Sequence, residues 1–363
     1  MGEIVSHAEA GNDPGAQPGS LAAALHRAGM RTALVSNAES SSVTEPGAVS
    51  APAGVAAADR YGFIDRGAVS FDLLTTDPTI PGSLRAEPDR FADAVSDVLD
   101  DAELVVVDPG ETTRASVAGA LMGDGPLAEQ LRLHALTRTD DVLGAVADDL
   151  DRGTVLVVVG VTPPGGRWAL TPMVIYGAGT QHGYLHSSST HRPDLVTLTD
   201  VAPTVLEALG VDAPNAMIGN PLAYRPGDAD WAGALELDDL LANRAPIDDA
   251  MAVGFIVVQT IVYLVAIAVL VTDRQRPAWF DRTLLFVVVT CAAWPLATFW
   301  LRIAPSLYSY GAGTFVLCWA VAAVVAFGVT RLRRHVLDPV LALCGLTVLT
   351  LVGDLATGAH LQY

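Results

Sequence analysis

The sequence predicts an α/β domain whose mainly parallel sheet carries helices on both faces, followed by an all-α domain of four transmembrane helices. In residues 20–222, apolar strands without polar alternation are separated by amphipathic helices, as in parallel sheets that are buried on both faces. In residues 251–363, four apolar runs of 18 to 21 residues match the ~20 residues that a membrane-spanning helix needs. The length of 363 residues suits about two or three domains.

Local signals place the elements of the α/β domain in order. Ser20 is a candidate N-cap for the first helix, and Gly29 is its stop. Pro88 opens the second helix, because proline fits the first helical turn, and Thr199 or Asp200 caps the last one. With the apolar pattern between them, these signals predict in chain order a helix at 21–28, a strand at 31–36, a helix at 88–99, a strand at 103–107, a helix at 127–150, strands at 154–159, 172–176 and 194–198, and a helix at 201–209.

Polar segments flank the α/β domain. Residues 1–19 have no apolar pattern and are predicted to be a flexible lead. Residues 223–250 are acidic and contain proline, and they are predicted to be a linker with one short helix around 235–241. Because the lead has no charged start followed by an apolar stretch, it does not resemble a signal peptide. The orientation of the spans, given next, requires the domain to be exported, so we expect an exporting segment upstream of residue 1.

The four apolar runs predict transmembrane spans at 251–271, 283–301, 311–330 and 336–353. They are apolar on all sides, whereas a surface helix of a soluble protein keeps a polar face. Arginine is concentrated in the loops after the first and third spans, and positively charged loops stay in the cytoplasm. We therefore expect a multi-pass protein of the cell membrane with residues 1–250 extracytoplasmic. The loop arginines are Arg274, Arg276, Arg282, Arg331, Arg333 and Arg334.

The two domains differ in the sign of their charge. Residues 1–250 hold 14 arginines and 36 acidic residues, a formal charge of −22, whereas residues 251–363 hold 7 arginines and 4 aspartates, a charge of +3. A domain at −22 is repelled by phosphate backbones, so nucleic acid is not an expected partner. The lipid bilayer is an expected partner because of the four apolar spans. All three cysteines lie in the predicted spans, so the α/β domain has no disulfide and no thiolate metal site. They are Cys291, Cys318 and Cys344.

Asp108 is the first candidate site residue, because ligands of parallel α/β sheets gather at the carboxyl ends of the strands. In one interpretation, Asp108 and Glu111 bind a metal ion or a polar ligand, and Arg114 clamps an anion. In the other, Asp108 caps a helix that begins near Thr113. The absence of further metal-ligating residues nearby in the sequence favours the capping role.

Two other places carry candidate residues. His182, His186 and His191 are clustered within ten residues, but as zinc ligands they need a helix or a well-shaped loop, and the serines and glycine among them argue against a helix. The alternative is a solvated loop. Asp354 lies in an apolar span, where ionisable residues are costly and often functional, and its alternative is solvation at the outer interface.

Residues 196–222, VTLTDVAPTVLEALGVDAPNAMIGNPL, are the most informative stretch. They resemble the C-terminal signature of the alkaline phosphatase and sulfatase superfamily, in which a strand leads into D-[IVL]-A-P-T, an apolar helix and G-x-P-L. The resemblance implies an alkaline-phosphatase-like domain, here incomplete, and for active members two metal ions held by carboxylates and imidazoles at strand ends. The chain departs from that ligand pattern, since Thr112 stands where a histidine would follow Asp108, and the strand at 154–159 runs into 160–162 without an Asp-His pair.

Five segments resemble a group of envelope proteins of high-GC Gram-positive bacteria, which join a phosphatase-like domain to a multi-span bundle. In that group the domain begins further upstream and the bundle continues further, so we expect this chain to be truncated at both ends. The segments are 57–62 (AADRYG), 106–114 (VVDPGETTR), 187–193 (SSSTHRP), 199–210 and 354–362 (DLATGAHLQ).

The expected function is that of a membrane-anchored extracytoplasmic phosphatase-like domain that has lost catalysis. It binds an envelope component or a membrane protein partner, or has a structural role in the cell envelope, and no cofactor is expected. The first alternative is a metal-dependent phosphoesterase or phosphotransferase that uses zinc or manganese and whose nucleophile lies in a missing N-terminal segment. The second is a transporter-like bundle with an accessory domain, based on Asp354 and on Pro295, which is expected to kink the second span. The missing Asp-His pair favours the non-catalytic function.

Overall fold

A computed structural model shows an N-terminal α/β region and a C-terminal bundle of apolar helices, which confirms the predicted order of the two parts. The chain divides into two compact units, Met1–Gly166 with Thr171–Asp230 and Arg167–Leu170 with Trp231–Tyr363. The structure describes residues 18–39, 49–80, 84–123, 125–163, 169–190, 194–272, 277–303, 312–332, 335, 337–357 and 361.

A three-stranded parallel sheet forms the centre of the α/β region. Strand β1 (Thr32–Ser36) lies between β2 (Arg66–Ala68) and β5 (Leu104–Asp108), and both neighbours run parallel to it. All five residues of β1 are buried, as expected for the central strand of a sheet that is covered on both sides.

Helices cover both faces of this sheet. Alternate side chains of a strand point to opposite faces, and in β5 Leu104 packs in one apolar cluster while Val105 packs in another. The Val105 cluster is centred on Phe91, which is fully buried. The helices of this region are α1 (Ser20–Arg27), α2 (Gly54–Ala57), α3 (Pro88–Leu99), α4 (Glu111–Met122), α5 (Pro126–Asp148) and α6 (Val201–Ala208).

Among the described residues, parallel pairing is confined to these three strands, so the prediction of a mainly parallel sheet holds for only part of the domain. Strand β6 (Val155–Val159) pairs antiparallel with β7 (Met173–Gly177), although both were expected to extend the parallel sheet. A parallel partner requires a crossover, usually a helix, and the described residues between β6 and β7 contain none. Two further antiparallel pairs are β3 (Leu74–Thr76) with β4 (Leu84–Ala86), and β8 (Tyr184–His186) with β9 (Ala223–Arg225).

The strand predicted at 194–198 is not formed. Asp194 adopts a left-handed conformation with φ of 61°, and a short 3-10 helix, Leu198–Asp200, leads directly into α6. The backbone N–H of Thr197 donates to the Asp200 carboxylate instead of to a neighbouring strand. A local side-chain acceptor has therefore replaced strand pairing in this segment.

The segment predicted as a linker also differs from the expectation. It contains β9, and from Trp231 onward it belongs to α7 (Trp231–Val271), a single helix of 41 residues. Residues 231–242 are rich in alanine, leucine and acidic residues, which are mostly good helix formers, so the short helix expected around 235–241 continues into the first apolar span.

Four helices of the second unit are long and apolar enough to cross a membrane, which confirms the four predicted transmembrane segments at the level of length and composition. After α7 these are α8 (Ala278–Leu301), α9 (Ala312–Arg331) and α10 (Asp338–Thr357). Trp294 lies in their apolar core, where its ring stacks on Phe255 at 4.3 Å between ring centres. The candidate spans are Ala250–Val269, Trp279–Leu301, Gly313–Arg331 and Asp338–Thr357.

Candidate functional site

The carboxyl edge of the parallel sheet brings Ser36 and Asp108 side by side, since the two residues are partners in the register of β1 and β5. Asn37 follows Ser36 and is fully buried, and its side-chain amide donates to the Ser70 carbonyl at 3.0 Å. The Asp108 carboxylate accepts a hydrogen bond from the Gly110 N–H at 2.9 Å. Asp108 therefore lies where the sequence places it, at a strand end.

The turn after Asp108 depends on Gly110. This residue has φ of +72°, and a Cβ atom added to it would lie 2.4 Å from the Cα of Ala38. Helix α4 begins at Glu111 with Gly110 as its N-cap, and no side chain caps it. The predicted helix start near Thr113 with Asp108 as its cap is therefore wrong in detail. Asp108 stabilises the turn instead, because a carboxylate that accepts from the N–H two residues on closes an Asx-turn.

Glu111 is almost completely buried, with 1% of its side chain exposed, and is held by two arginines. Its Oε1 accepts from the Ala86 N–H and from Arg114 Nη2, each at 2.6 Å, and its Oε2 accepts from Arg138 Nε at 2.6 Å. A buried carboxylate is tolerated when it is paired and hydrogen-bonded in this way. To bind a metal ion as predicted, Glu111 would have to exchange these bonds for the ion.

Arg114 is also engaged inside the fold. Its Nη1 donates to the Asn37 carbonyl at 2.8 Å, and its Nη2 donates to the Pro109 carbonyl at 2.5 Å as well as to Glu111. The guanidinium thus joins the chain after β1, the chain after β5 and helix α4. Only Nε lacks a hydrogen-bond partner among the described residues. The fork that would clamp an anion is therefore occupied by main-chain carbonyls.

The histidine cluster predicted from the sequence is only partly visible. His182 lies exposed in a bend, and His186 is the last residue of β8, opposite Ala223. His191 lies outside the described residues. Across the described ranges, no three side chains of histidine, cysteine, aspartate or glutamate are close enough together to hold a metal ion.

Asp200, the aspartate of the motif in residues 196–222, is fully buried at the centre of a polar network. Its Oδ2 accepts from the Ser187 hydroxyl at 2.7 Å and from the hydroxyl and N–H of Thr197, while its Oδ1 accepts from the Ser189 hydroxyl at 2.7 Å and from the Asn220 N–H at 3.0 Å. Burial by itself raises the pKa of Asp200, but these donors outweigh burial and lower the pKa to about 2. The carboxylate is therefore ionised and fully bonded.

The two ends of the same motif are tied together through Thr204. Its hydroxyl donates to the Asp200 carbonyl at 2.6 Å and accepts from the Leu222 N–H at 3.0 Å. Gly219 passes so close to Thr199 that an added Cβ would lie 1.9 Å from the Thr199 carbonyl oxygen. The residues that resemble the superfamily signature thus form a closed structural unit.

Asp354 is buried in α10 with 6% of its surface exposed, and its Oδ1 accepts from the Leu361 N–H at 2.9 Å. The sequence analysis did not single out Arg302, which follows α8 and whose Nη1 donates to the Leu361 carbonyl at 3.0 Å, and it also missed Asn37 and Arg138 in the α/β region. Only Asn37 had a sequence signal, since it is a polar residue directly after the apolar strand β1.

Comparisons with known proteins add no assignment to this geometry. No family model, no curated protein and no solved structure matches the chain.

Proposed function

We propose that this chain is a multi-pass protein of the cell membrane whose α/β region lies outside the cytoplasm and binds an envelope component or a membrane protein partner without hydrolysing a phosphoester. The observation that carries the proposal is the state of two buried carboxylates of the α/β region. Glu111 and Asp200 direct all their oxygen atoms at donors within the fold. Carboxylates used in this way fasten elements together and leave no open ligand position.

The strand ends support the same conclusion. Hydrolysis with two metal ions needs several carboxylates and imidazoles converging on one point. At the carboxyl edge of the parallel sheet, Asp108 closes a turn, and Arg114 joins main-chain segments. The phosphatase-like motif is retained as structure, since Asp200 and Thr204 tie the motif's helix to its closing segment.

The position outside the cytoplasm is supported by the arginines of the bundle. Arg282 lies in the first turns of α8 and Arg331 ends α9, so these arginines lie next to the connections that the positive-inside rule assigns to the cytoplasm. The N-terminal end of the first candidate span, Ala250–Val269, then lies at the outer side of the membrane. The α/β region before it lies on the opposite side from the arginine-rich loops.

The charge of the α/β region restricts its partner. Residues 1–250 carry a formal charge of −22, so anionic polymers are repelled over distances of about a Debye length, ~8 Å at physiological salt. A neutral or basic partner is therefore favoured over an anionic envelope polymer.

An activity assay tests the non-catalytic part of the proposal. The full chain, purified in detergent, is incubated with Zn²⁺ or Mn²⁺ and with nitrophenyl phosphate mono- and diesters. We expect no turnover above that of the metal-containing buffer. Turnover that is lost in Asp108→Asn but kept in the exposed control Asp212→Asn would overturn the proposal.

Protease treatment of intact cells tests the topology. We expect an antibody against residues 20–222 to lose its signal in intact cells. The segment between the first two spans, residues 272–277, should be cleaved only after the membrane is permeabilised. Protection of residues 20–222 in intact cells contradicts the proposed orientation.

A further inference from the structure

Glu111 and the two arginines that hold it form a charge group with one positive charge in excess. The carboxylate accepts from Arg114 Nη2 and from Arg138 Nε, each at 2.6 Å. Glu111 and Arg114 are buried, and Arg138 is half-buried with 19% of its side chain exposed. No other carboxylate of the described residues lies within 4.0 Å of either guanidinium. A charge enclosed in a fold is costly without an opposite charge beside it, so this group favours a further anion.

Arg138 has donors that no described residue uses. Its Nε is bonded to Glu111 Oε2, whereas its Nη1 and Nη2 make no hydrogen bond within the part of the chain that the structure describes. A guanidinium presents five N–H donors in a planar fork, so four of them remain for another acceptor. Arg114 differs, because both of its Nη atoms are engaged and its Nε is buried. Arg138 is therefore the arginine of the pair that can bind a ligand.

Both arginines line a pocket of about 250 Å³, a volume that includes the solvent at its mouth. Its walls come from α4, from α5 and from the β3–β4 hairpin. The α4 wall consists of two alanines, whose small side chains leave room beside α5. Apart from the arginines, the lining is apolar and half-buried, and it consists of Ile80, Leu84, Ala115, Ala118 and Leu131. A ligand that fits this pocket combines a negative charge with an apolar part.

Asp77 lies near enough to feel the charge of Arg138 but does not occupy its donors. Hydrogen bonds from Thr79 lower the pKa of Asp77, and the charges of Arg85 and Arg138 lower it further. The Asp77 carboxylate accepts from the N–H and the hydroxyl of Thr79 and pairs with Arg85 at 3.8 Å. The Nη donors of Arg138 thus stay open toward the pocket.

We propose that this pocket binds the carboxylate of a small aliphatic acid. The carboxylate accepts two parallel hydrogen bonds from Nη1 and Nη2 of Arg138, and the aliphatic part covers the apolar lining. One carboxylate compensates the single excess charge of the group. Inorganic phosphate fits less well, because it has no apolar part. The pocket is smaller than the 300–1,000 Å³ of pockets for drug-sized ligands, so the acid has a short carbon chain.

The proposed site goes beyond the function proposed above. Neither the orientation in the membrane nor the absence of phosphoester hydrolysis bears on it. The negative charge of the whole region disfavours an anionic polymer, whereas a single small anion meets only the local excess of positive charge at Arg138.

Saturation-transfer NMR tests the proposal, because this method detects the weak binding expected of so small a ligand. The full chain in deuterated detergent is mixed with about 10 mM butyrate at neutral pH, and magnetisation is transferred from the protein to bound butyrate. Butyramide, which has the same carbon chain without the charge, is measured in parallel. Inorganic phosphate is then added as a competitor at the same concentration as butyrate.

We expect the signal of butyrate to be about tenfold larger than that of butyramide, and we expect phosphate not to displace butyrate. Arg138→Gln should reduce the butyrate signal about tenfold. Because that variant also removes a partner of Glu111, a second variant is needed. Ala118→Leu fills the pocket, keeps every charge and should reduce the signal to the same extent. Arg132→Gln, in a more exposed pair on the same helix as Arg138, is the control and should leave the signal unchanged.

The proposal is overturned if the wild-type chain gives no butyrate signal, or if butyramide gives an equal one. It is also overturned if Ala118→Leu binds butyrate as the wild type does, because the ligand would then lie elsewhere. Displacement of butyrate by phosphate would overturn it as well, since the pocket would then bind anions in general.

Discussion

The Asp200 network allows a quantitative prediction for Asp200→Asn. An amide has one accepting oxygen, whereas the carboxylate accepts from the Thr197 N–H on Oδ2 and from the Asn220 N–H on Oδ1. In the variant one of these two N–H groups must face the amide NH₂. A buried donor left without an acceptor costs about 1–3 kcal/mol.

The lowered pKa gives a second measure of the same interaction. The pKa of Asp200 is lowered from 3.8 to about 2, and each pKa unit corresponds to about 1.4 kcal/mol, so the ionised form stabilises the fold by about 2–3 kcal/mol at neutral pH. Because the pKa is lowered in the folded state, this stabilisation is complete above pH 3.8 and is lost as the pH falls toward 2. The two values overlap at a loss of about 2–3 kcal/mol for Asp200→Asn.

Amide hydrogen exchange of the intact chain in detergent measures this loss. Local opening that is easier by about 2–3 kcal/mol makes protected amides in residues 187–222 exchange on the order of 100-fold faster. The exposed Asp212→Asn serves as the control and should leave the rates unchanged. In the wild type, protection corrected for intrinsic rates should fall between about pH 4 and about pH 2, and in Asp200→Asn it should not. Equal exchange in both variants would falsify the assigned role of Asp200.

Two further substitutions test the carboxyl edge of the sheet by the same measurement. Glu111→Gln should destabilise the region around α4 by about 3–5 kcal/mol, because it leaves the buried Arg114 and the half-buried Arg138 without their carboxylate. Glu129→Gln, in a more exposed pair, should change stability by less than about 0.5 kcal/mol. Gly110→Ala should lower the stability of the fold by about 3 kcal/mol, because the added Cβ meets Ala38. Gly29→Ala, at a similar φ but with open space around it, should lower the stability by about 1 kcal/mol. If Glu111→Gln and Glu129→Gln destabilise the chain equally, the contacts described for Glu111 are contradicted. The same holds for Gly110 if Gly110→Ala and Gly29→Ala have equal effects.

Elements with complete local signals were predicted well. Helix α3 spans Pro88–Leu99 as expected, because Pro88 fits its first turn and its apolar residues fall on one face. The partner of β6 was predicted wrongly, since a run of five valine and leucine residues is equally compatible with parallel and antiparallel neighbours. The strand prediction at 194–198 was also wrong, because the Thr197 N–H donates to the Asp200 side chain instead of to a neighbouring strand.

The sequence by itself determined the four apolar helices, the opposite charges of the two parts and the strand end at Asp108, because chain composition and local pattern decide each of these. Only the tertiary structure decided what the buried charged residues do. Glu111 meets Arg138 across 27 residues of chain, and Asp200 meets Asn220 across 20. Hydrogen bonds act only over about 3 Å, so partners this far apart in the chain become neighbours only through folding. No local sequence pattern predicts them.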